Sequence, residues 1–228
     1  MSVLRTIVLA LLLSSAAGAT TIILTGLHSS LGMQSSLYFD QDGVATQEYW
    51  AGGIDVLVNG YSRLVFCVDL FTNISLSTYG TELDFSDTPQ LKRVGWLLQN
   101  ELPTITTQAG GAALQLAIWD IVTDNGDGFD AGKGRITQSS NSSHPTDPTV
   151  LATAISLESM SLGKSSNYGI VYHNVSLSSG AVVQTLMGIS LNDGGPEPVP
   201  EPAPIILVMC GVVLIGAGKC RRFRSTQT

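Results

Sequence analysis

The sequence predicts an α+β domain, a β-sheet or barrel-like body with an inserted helical segment, flanked by a signal peptide and a C-terminal apolar tail. Three observations lead there. A hairpin pattern occupies Ile54–Leu70, apolar residues recur at helical spacing through the middle of the chain, and both ends have compositions that suit no folded core.

Thr20–Leu27 is β-branched and apolar and reads as a strand, with a second short strand at Ser36–Phe39. In the hairpin, Ile54, Val56 and Val58 alternate with Asp55 and Leu57. Asn59-Gly60 then supplies a type I′ turn, because both central positions of that turn need positive φ. On the returning strand, Tyr61–Leu70, the period of two puts Leu64, Phe66, Val68 and Leu70 on one face and Val65, Cys67 and Asp69 on the other.

The period then changes. Thr88-Pro89 is a cap followed by proline at the first helical position, Leu91, Val94, Leu98 and Leu102 form a stripe, and Pro103 ends the helix. A second helix is expected over Thr107–Thr123, with Leu114, Ala117, Ile118, Ile121 and Val122 as its core face. Gln115 and Trp119 form an i, i+4 pair along its edge. A third helix starts at Asp147-Pro148 and carries Val150, Leu151, Ala154, Ile155 and Leu157. Strands return at Tyr168–Val175 and about Ala181–Ile189.

The ends carry addresses. Residues 1–19 hold Arg5, the apolar run Ile7–Leu13 and Ala17-Gly18-Ala19, the layout of a secretory signal for the Sec machinery. Residues 20–192 are the length of one domain. Residues 193–204 form a stiff Pro/Glu-rich linker, and 205–228 an apolar segment with a basic end. The run Ile205–Gly218 has 14 residues, against about 20 for a bilayer crossing, so it predicts a transient inner-membrane anchor. Val199-Pro200-Glu201-Pro202, the apolar run and the cluster with Arg221 and Arg222 together resemble the PEP-CTERM sorting signal of Gram-negative bacteria. That resemblance implies an exosortase as partner, removal of the tail, and delivery to the cell surface or extracellular matrix. The alternative is a plain tail anchor.

Within 20–192 there are six basic residues, Arg63, Lys92, Arg93, Lys133, Arg135 and Lys164, against fifteen acidic ones. An acidic surface excludes a nucleic-acid partner and an anionic membrane surface. Cys210 and Cys220 belong to the tail, so the domain has a single cysteine, Cys67, and no internal disulfide.

A strand cysteine and a helix glutamine can close a thioester if the fold holds thiol and carboxamide in attack geometry. Phe66-Cys67-Val68-Asp69 resembles the aromatic-Cys-aliphatic-acidic strand of bacterial surface thioester domains, and Gln115-Leu116-Ala117-Ile118-Trp119 is similar to their Gln-x-Ala-Ile-Trp helix motif. The resemblance covers roughly Ile54–Asp124 and implies a covalent adhesin head of sheet and helix. It makes Cys67 the acyl-bearing thiol, Gln115 the acyl donor, and Phe66, Asp69 and Trp119 supporting residues. It implies single-turnover acyl transfer rather than an enzyme, no cofactor, and an unidentified surface or matrix target bearing an amine or hydroxyl. Leu114 stands where that family often has threonine.

Two other readings stay open. Cys67 can be a buried apolar residue in a non-covalent, exopolysaccharide-associated matrix protein. It can also pair with His28, His144 or His173 as a thiol hydrolase, although no signature marks one. Asp124-Asn125-Gly126-Asp127-Gly128-Phe129-Asp130 resembles a calcium loop in composition but fails the EF-hand spacing, so it reads as a Gly-rich turn and no metal ligands are assigned. Three Asn-x-Ser triplets, at Asn73, Asn141 and Asn174, read as chance.

Overall fold

A computed structural model describes residues 20–33, 38–41, 44–48, 50–130, 133–138 and 147–190. The expected signal peptide and linker, Pro200, Glu201, Pro202, Arg221, Arg222, Cys210, Cys220, His144 and the Asn141 triplet lie outside these residues. Ala19–Leu191 forms one compact unit.

Nine strands and three α-helices are described, in the order β1 (Thr20–Met33), β2 (Tyr38–Gln41), β3 (Val44–Glu48), β4 (Ala51–Val58), β5 (Tyr61–Cys67), β6 (Thr78–Phe85), α1 (Pro89–Asn100), α2 (Gln108–Asp124), β7 (Ile136–Gln138), α3 (Pro148–Ser161), β8 (Gly169–Ser176) and β9 (Leu186–Ile189). Six strands close a barrel in the order β1-β4-β5-β9-β8-β6, with every neighbouring pair antiparallel. β3-β2-β7 make a separate three-stranded sheet. The α+β expectation with helices set between β regions therefore holds, and closure leaves no exposed edge on the main sheet. Among the described residues no helix is long and apolar enough to cross a membrane.

The hairpin forms as its turn residues dictate. Asn59 and Gly60 have φ of 50° and 85°, and Val58 pairs with Tyr61. Cross-strand partners share a face, so the pairs Ile22–Val58, Leu24–Val56, Ile54–Val65, Ile22–Tyr79, Tyr172–Leu186 and Cys67–Leu186 place these side chains on one interior face. All of them are buried. The opposite face of β5 is buried too, at Phe66, because α1 packs over β8 and β9.

Both caps read from the sequence are made. Thr88 accepts a hydrogen bond from Leu91 N, and Asp147 accepts from Thr149 N and Val150 N. Pro103 lies in a short 3₁₀ turn after α1. Elsewhere the structure differs. β1 continues to Met33 because Leu31 is covered by α2, and the returning strand stops at Cys67 rather than Leu70. The expected strand Ala181–Ile189 is reduced to β9, preceded by an isolated bridge between Val182 and Val175. β3, β6 and β7 are additions; β6 forms because both of its neighbours, β1 and β8, offer antiparallel edges.

α2 is the largest departure. Gly111 through Ile121 are buried without interruption, so there is no polar face at all, while Val122 is only half-buried. A helix enclosed on every side carries no amphipathic signature, and packing rather than periodicity sets its place. In α3 the buried face turns toward Val150, Ala154, Leu157, Glu158 and Ser161, leaving Ile155 exposed. The reason is Arg93 of α1, itself buried. It donates from Nε to Ser161 Oγ (2.7 Å), from Nη2 to the Glu158 carbonyl (2.6 Å) and from Nη1 to the Asn125 carbonyl (2.8 Å). Burial pulls its pKa down, against the opposing pull of Glu158 and Asp120.

At Gly111 the helix meets the barrel backbone: a Cβ there would lie 2.4 Å from the Leu31 carbonyl carbon and oxygen. Main chain cannot yield as a flexible side chain does. Gly111→Ala is expected to cost about 3 kcal/mol in chemical denaturation. Gly26→Ala, where nothing stands within 4 Å, is expected to leave stability unchanged.

Candidate functional site

The site arises where two barrel strands part. The β4–β5 register ends at Ile54–Val65, and its continuation would set Gly52 against Cys67. Gly52 keeps its pairing with Gly32 of β1 on the other edge but has no paired residue in β5. Phe66 and Val68 turn toward β9, where Val68 N donates to the Thr185 carbonyl (3.1 Å). By the alternation of an antiparallel strand, Cys67 turns its N–H and C=O the other way, toward the vacated side.

The carboxamide of Gln115 takes the missing strand's place. Cys67 N donates to Gln115 Oε1 (3.0 Å), and Gln115 Nε2 donates to the Cys67 carbonyl (2.7 Å). The two bonds fix which end of the amide is oxygen and which nitrogen. They also hold the carboxamide carbon against the residue that bears the thiol. Cys67 and Gln115 are 3% and 1% exposed, so the Gln115 side chain is interior and not at a helix edge as the sequence suggests. A single unpaired amide or carbonyl buried here would cost about 1–3 kcal/mol, which makes the reciprocal pair a strong positional constraint.

The thiol has two further neighbours. Cys67 Sγ donates to the Asp69 carbonyl (3.1 Å), and Trp119, one turn along α2 from Gln115, stands close enough to the sulfur to favour its thiolate. Burial pushes the thiol up to about 12, with the Asp69 charge adding to the rise, while Trp119 and the Asp69 main-chain N–H, which favour the thiolate, work against it. The resting thiol is therefore protonated at neutral pH.

The five residues singled out from sequence divide accordingly. Cys67, Gln115 and Trp119 are brought together. Asp69 contributes its main chain to the thiol, while its carboxylate accepts from Phe71 N (3.1 Å) in a local turn. Phe66 points to the opposite face of β5 and shapes the strand rather than lining the thiol. Sequence reasoning missed Gln184, which donates from Nε2 to the Asp69 carbonyl (3.0 Å) and ties the loop after Cys67 to the segment before β9. Nothing in the local pattern around Gln184 marks it.

The remaining candidates fall elsewhere. His28 bonds Asp55 (2.8 Å), and His173 is exposed on β8 opposite Glu82. No hydrogen bond among the described residues joins either to Cys67, and His144 lies outside those residues. Asn174 is fully buried and donates to the Gln184 carbonyl (2.9 Å), which keeps its amide from any modifying enzyme.

Chemically, the pair is arranged for acyl exchange between neighbouring side chains. The Gln115 oxygen already accepts from a fixed main-chain N–H, the type of donor that stabilises the negative oxygen of a tetrahedral intermediate. The amide nitrogen is held by a carbonyl on the other side. No protein-family model, curated protein or solved structure matches this chain.

Proposed function

We propose that Cys67 and Gln115 close an internal thioester, and that the protein is an exported surface protein that uses it to attach covalently to a target nucleophile. The observation that carries this reading is the reciprocal hydrogen bonding of the Gln115 carboxamide to the Cys67 main chain, enclosed by packing on all sides.

The chemistry balances without a cofactor. The Cys67 sulfur attacks the carboxamide carbon of Gln115, and Cys67 N–H supports the negative oxygen that develops on Oε1. The C–N bond then breaks, and ammonia departs carrying the proton that the thiol gives up. Proximity takes the place of a strong base, since positioned intramolecular reactants gain effective molarities on the order of 10⁵ M or more. The resulting acyl group is activated. An amine or hydroxyl of the target attacks the same carbon, the C–S bond breaks, and an amide or ester remains while the sulfur recovers a proton. Each molecule reacts once, so this is attachment rather than enzymatic turnover. Burial, with Trp119 beside the sulfur, keeps water from the bond until a target docks. The N-terminal signal and the PEP-CTERM-like tail support Sec export, exosortase processing and a surface or matrix destination. The acidic domain supports a target other than nucleic acid.

One observation favours a second reading, a non-covalent matrix protein. A thiol pushed up to about 12 is inert while it stays protonated, as a structural cysteine would be.

Intact-mass measurement separates the two. The purified protein is expected to weigh one ammonia less than its sequence and to resist iodoacetamide, whereas Cys67→Ala and Gln115→Ala are expected to show full mass. A wild-type chain of full mass with an alkylatable Cys67 would sink the thioester. Retention on cells is expected to drop in Cys67→Ala; unchanged retention would favour the matrix reading.

Alkaline stability gives an independent measure. In Gln115→Ala the thiol is free and buried. The folded state then keeps its proton up to about 12, while the unfolded chain loses it near 9.0. The folded form binds the extra proton, so this contribution is complete below pH 9 and declines as pH rises toward 12. Relative to Cys67→Ala, that variant is expected to lose up to about 1.4 kcal/mol per pH unit in this window. The wild-type protein, with no thiol to ionise, is expected to show no such loss.

A further inference from the structure

We propose that Asp120, Asp124 and Asp127 form a binding site for a divalent cation of the calcium class at the C-terminal end of α2. One carboxylate oxygen from each lies within 4.8 Å of the others. Calcium takes carboxylate oxygens at about 2.3–2.6 Å, so three oxygens this close together can share one ion. Magnesium needs about 2.1 Å and near-ideal octahedral geometry, a poorer match to three carboxylates on a helix end and a loop.

Charge argues for a cation. Three carboxylates repel one another, and the helix C-terminus adds the negative end of its dipole. The two nearby basic groups are bonded to other partners, and Arg93 acts on Asp120 only through space. Arg93 donates to Ser161 Oγ and to the carbonyls of Asn125 and Glu158, and Lys133 pairs with Asp130 (2.8 Å).

A second observation is independent of the cluster's composition. Asp120 is fully buried; its Oδ2 accepts from Gly128 N (3.0 Å), and its Oδ1 has no donor. Glu158 of α3 approaches from behind, also buried, in hydrogen-bond reach of Asp120 and under the charge of Asp127, and its Oε1 has no donor either. Buried carboxylate oxygens without a donor are costly. A proton held between Asp120 and Glu158 leaves the charges of Asp124 and Asp127 uncompensated, whereas a cation offsets all three aspartates.

The ligands are held in place by main chain. Asp124 Oδ2 accepts from Arg135 N (2.8 Å) and Ile136 N (2.9 Å), which closes the loop back onto the helix end. Asn125 and Gly126, with φ of 65° and 75°, reverse the chain so that Asp127 returns toward Asp120. Asp127 is exposed, which gives an ion a route in and room for water ligands. The EF-hand rule failed to find this arrangement because it reads ligands along one loop, while two of these come from one face of a helix at i and i+4.

The test is calorimetric titration of the EDTA-treated protein with calcium chloride, followed by thermal melting. Saturable binding of about one ion per chain with a midpoint of about 0.1–1 mM is expected, with a rise in melting temperature. Asp127→Asn is expected to weaken binding about tenfold or more while leaving the EDTA-treated melting temperature unchanged or raised. Cys67→Ala is expected to bind calcium as the wild type does, so the site stands or falls apart from the thioester. Absence of saturable binding up to about 10 mM, or equal affinity in Asp127→Asn and wild type, would overturn the proposal.

Discussion

The arrangement depends on a side-chain carboxamide doing the work of a strand. At Cys67 the barrel loses its β4 partner, and the main-chain N–H and C=O of that residue would be buried with nothing to bond. Gln115 supplies an acceptor and a donor at the spacing a neighbouring peptide group would offer. An amide side chain carries both functions on one planar group, as a peptide unit does. The constraint runs both ways: the strand fixes the amide, and the amide fixes the helix that carries it. In the proposed chemistry, positioning of the carboxamide and satisfaction of the buried main chain rest on the same two hydrogen bonds.

That explains why α2 must be buried so completely. To deliver Gln115 into a gap of the barrel wall, the helix has to come within main-chain contact of β1, and Gly111 with Ala112 and Ala113 makes that approach possible. Its C-terminal half carries Trp119 to the sulfur and Asp120 toward Glu158, while Arg93 joins α1 to α3 and to the αL cap at Asn125. Gln115, Trp119, Asp120 and Asp124 therefore sit on one rigid helix, which suits the fixed geometry that the proposed attack on the carboxamide requires.

In the proposed thioester chemistry, burial also sets the direction. Water around the thiol would lower its pKa and would hydrolyse an acyl intermediate. The enclosed site does the opposite, holding the thiol protonated and keeping competing nucleophiles out. Proximity rather than an activated thiolate then has to drive bond formation. This division of labour fits a molecule that reacts once.

The sequence by itself determined the parts with local causes. The hairpin follows from Asn59-Gly60 and alternation, two helix starts follow from Thr88-Pro89 and Asp147-Pro148, and the single cysteine of the domain directs attention to Cys67. The placement of Cys67 beside Gln115 was legible only through a motif resemblance, since nothing in strand or helix periodicity brings positions 67 and 115 together. Tertiary structure decided the rest. Closure of the barrel, the burial of α2 on every side, the tie from Gln184 and the convergence of Asp120, Asp124 and Asp127 all depend on contacts distant in sequence or on the path of a loop. Local pattern reports which face of an element prefers water. It says nothing about where a strand loses its neighbour, and that loss is what calls Gln115 into the wall.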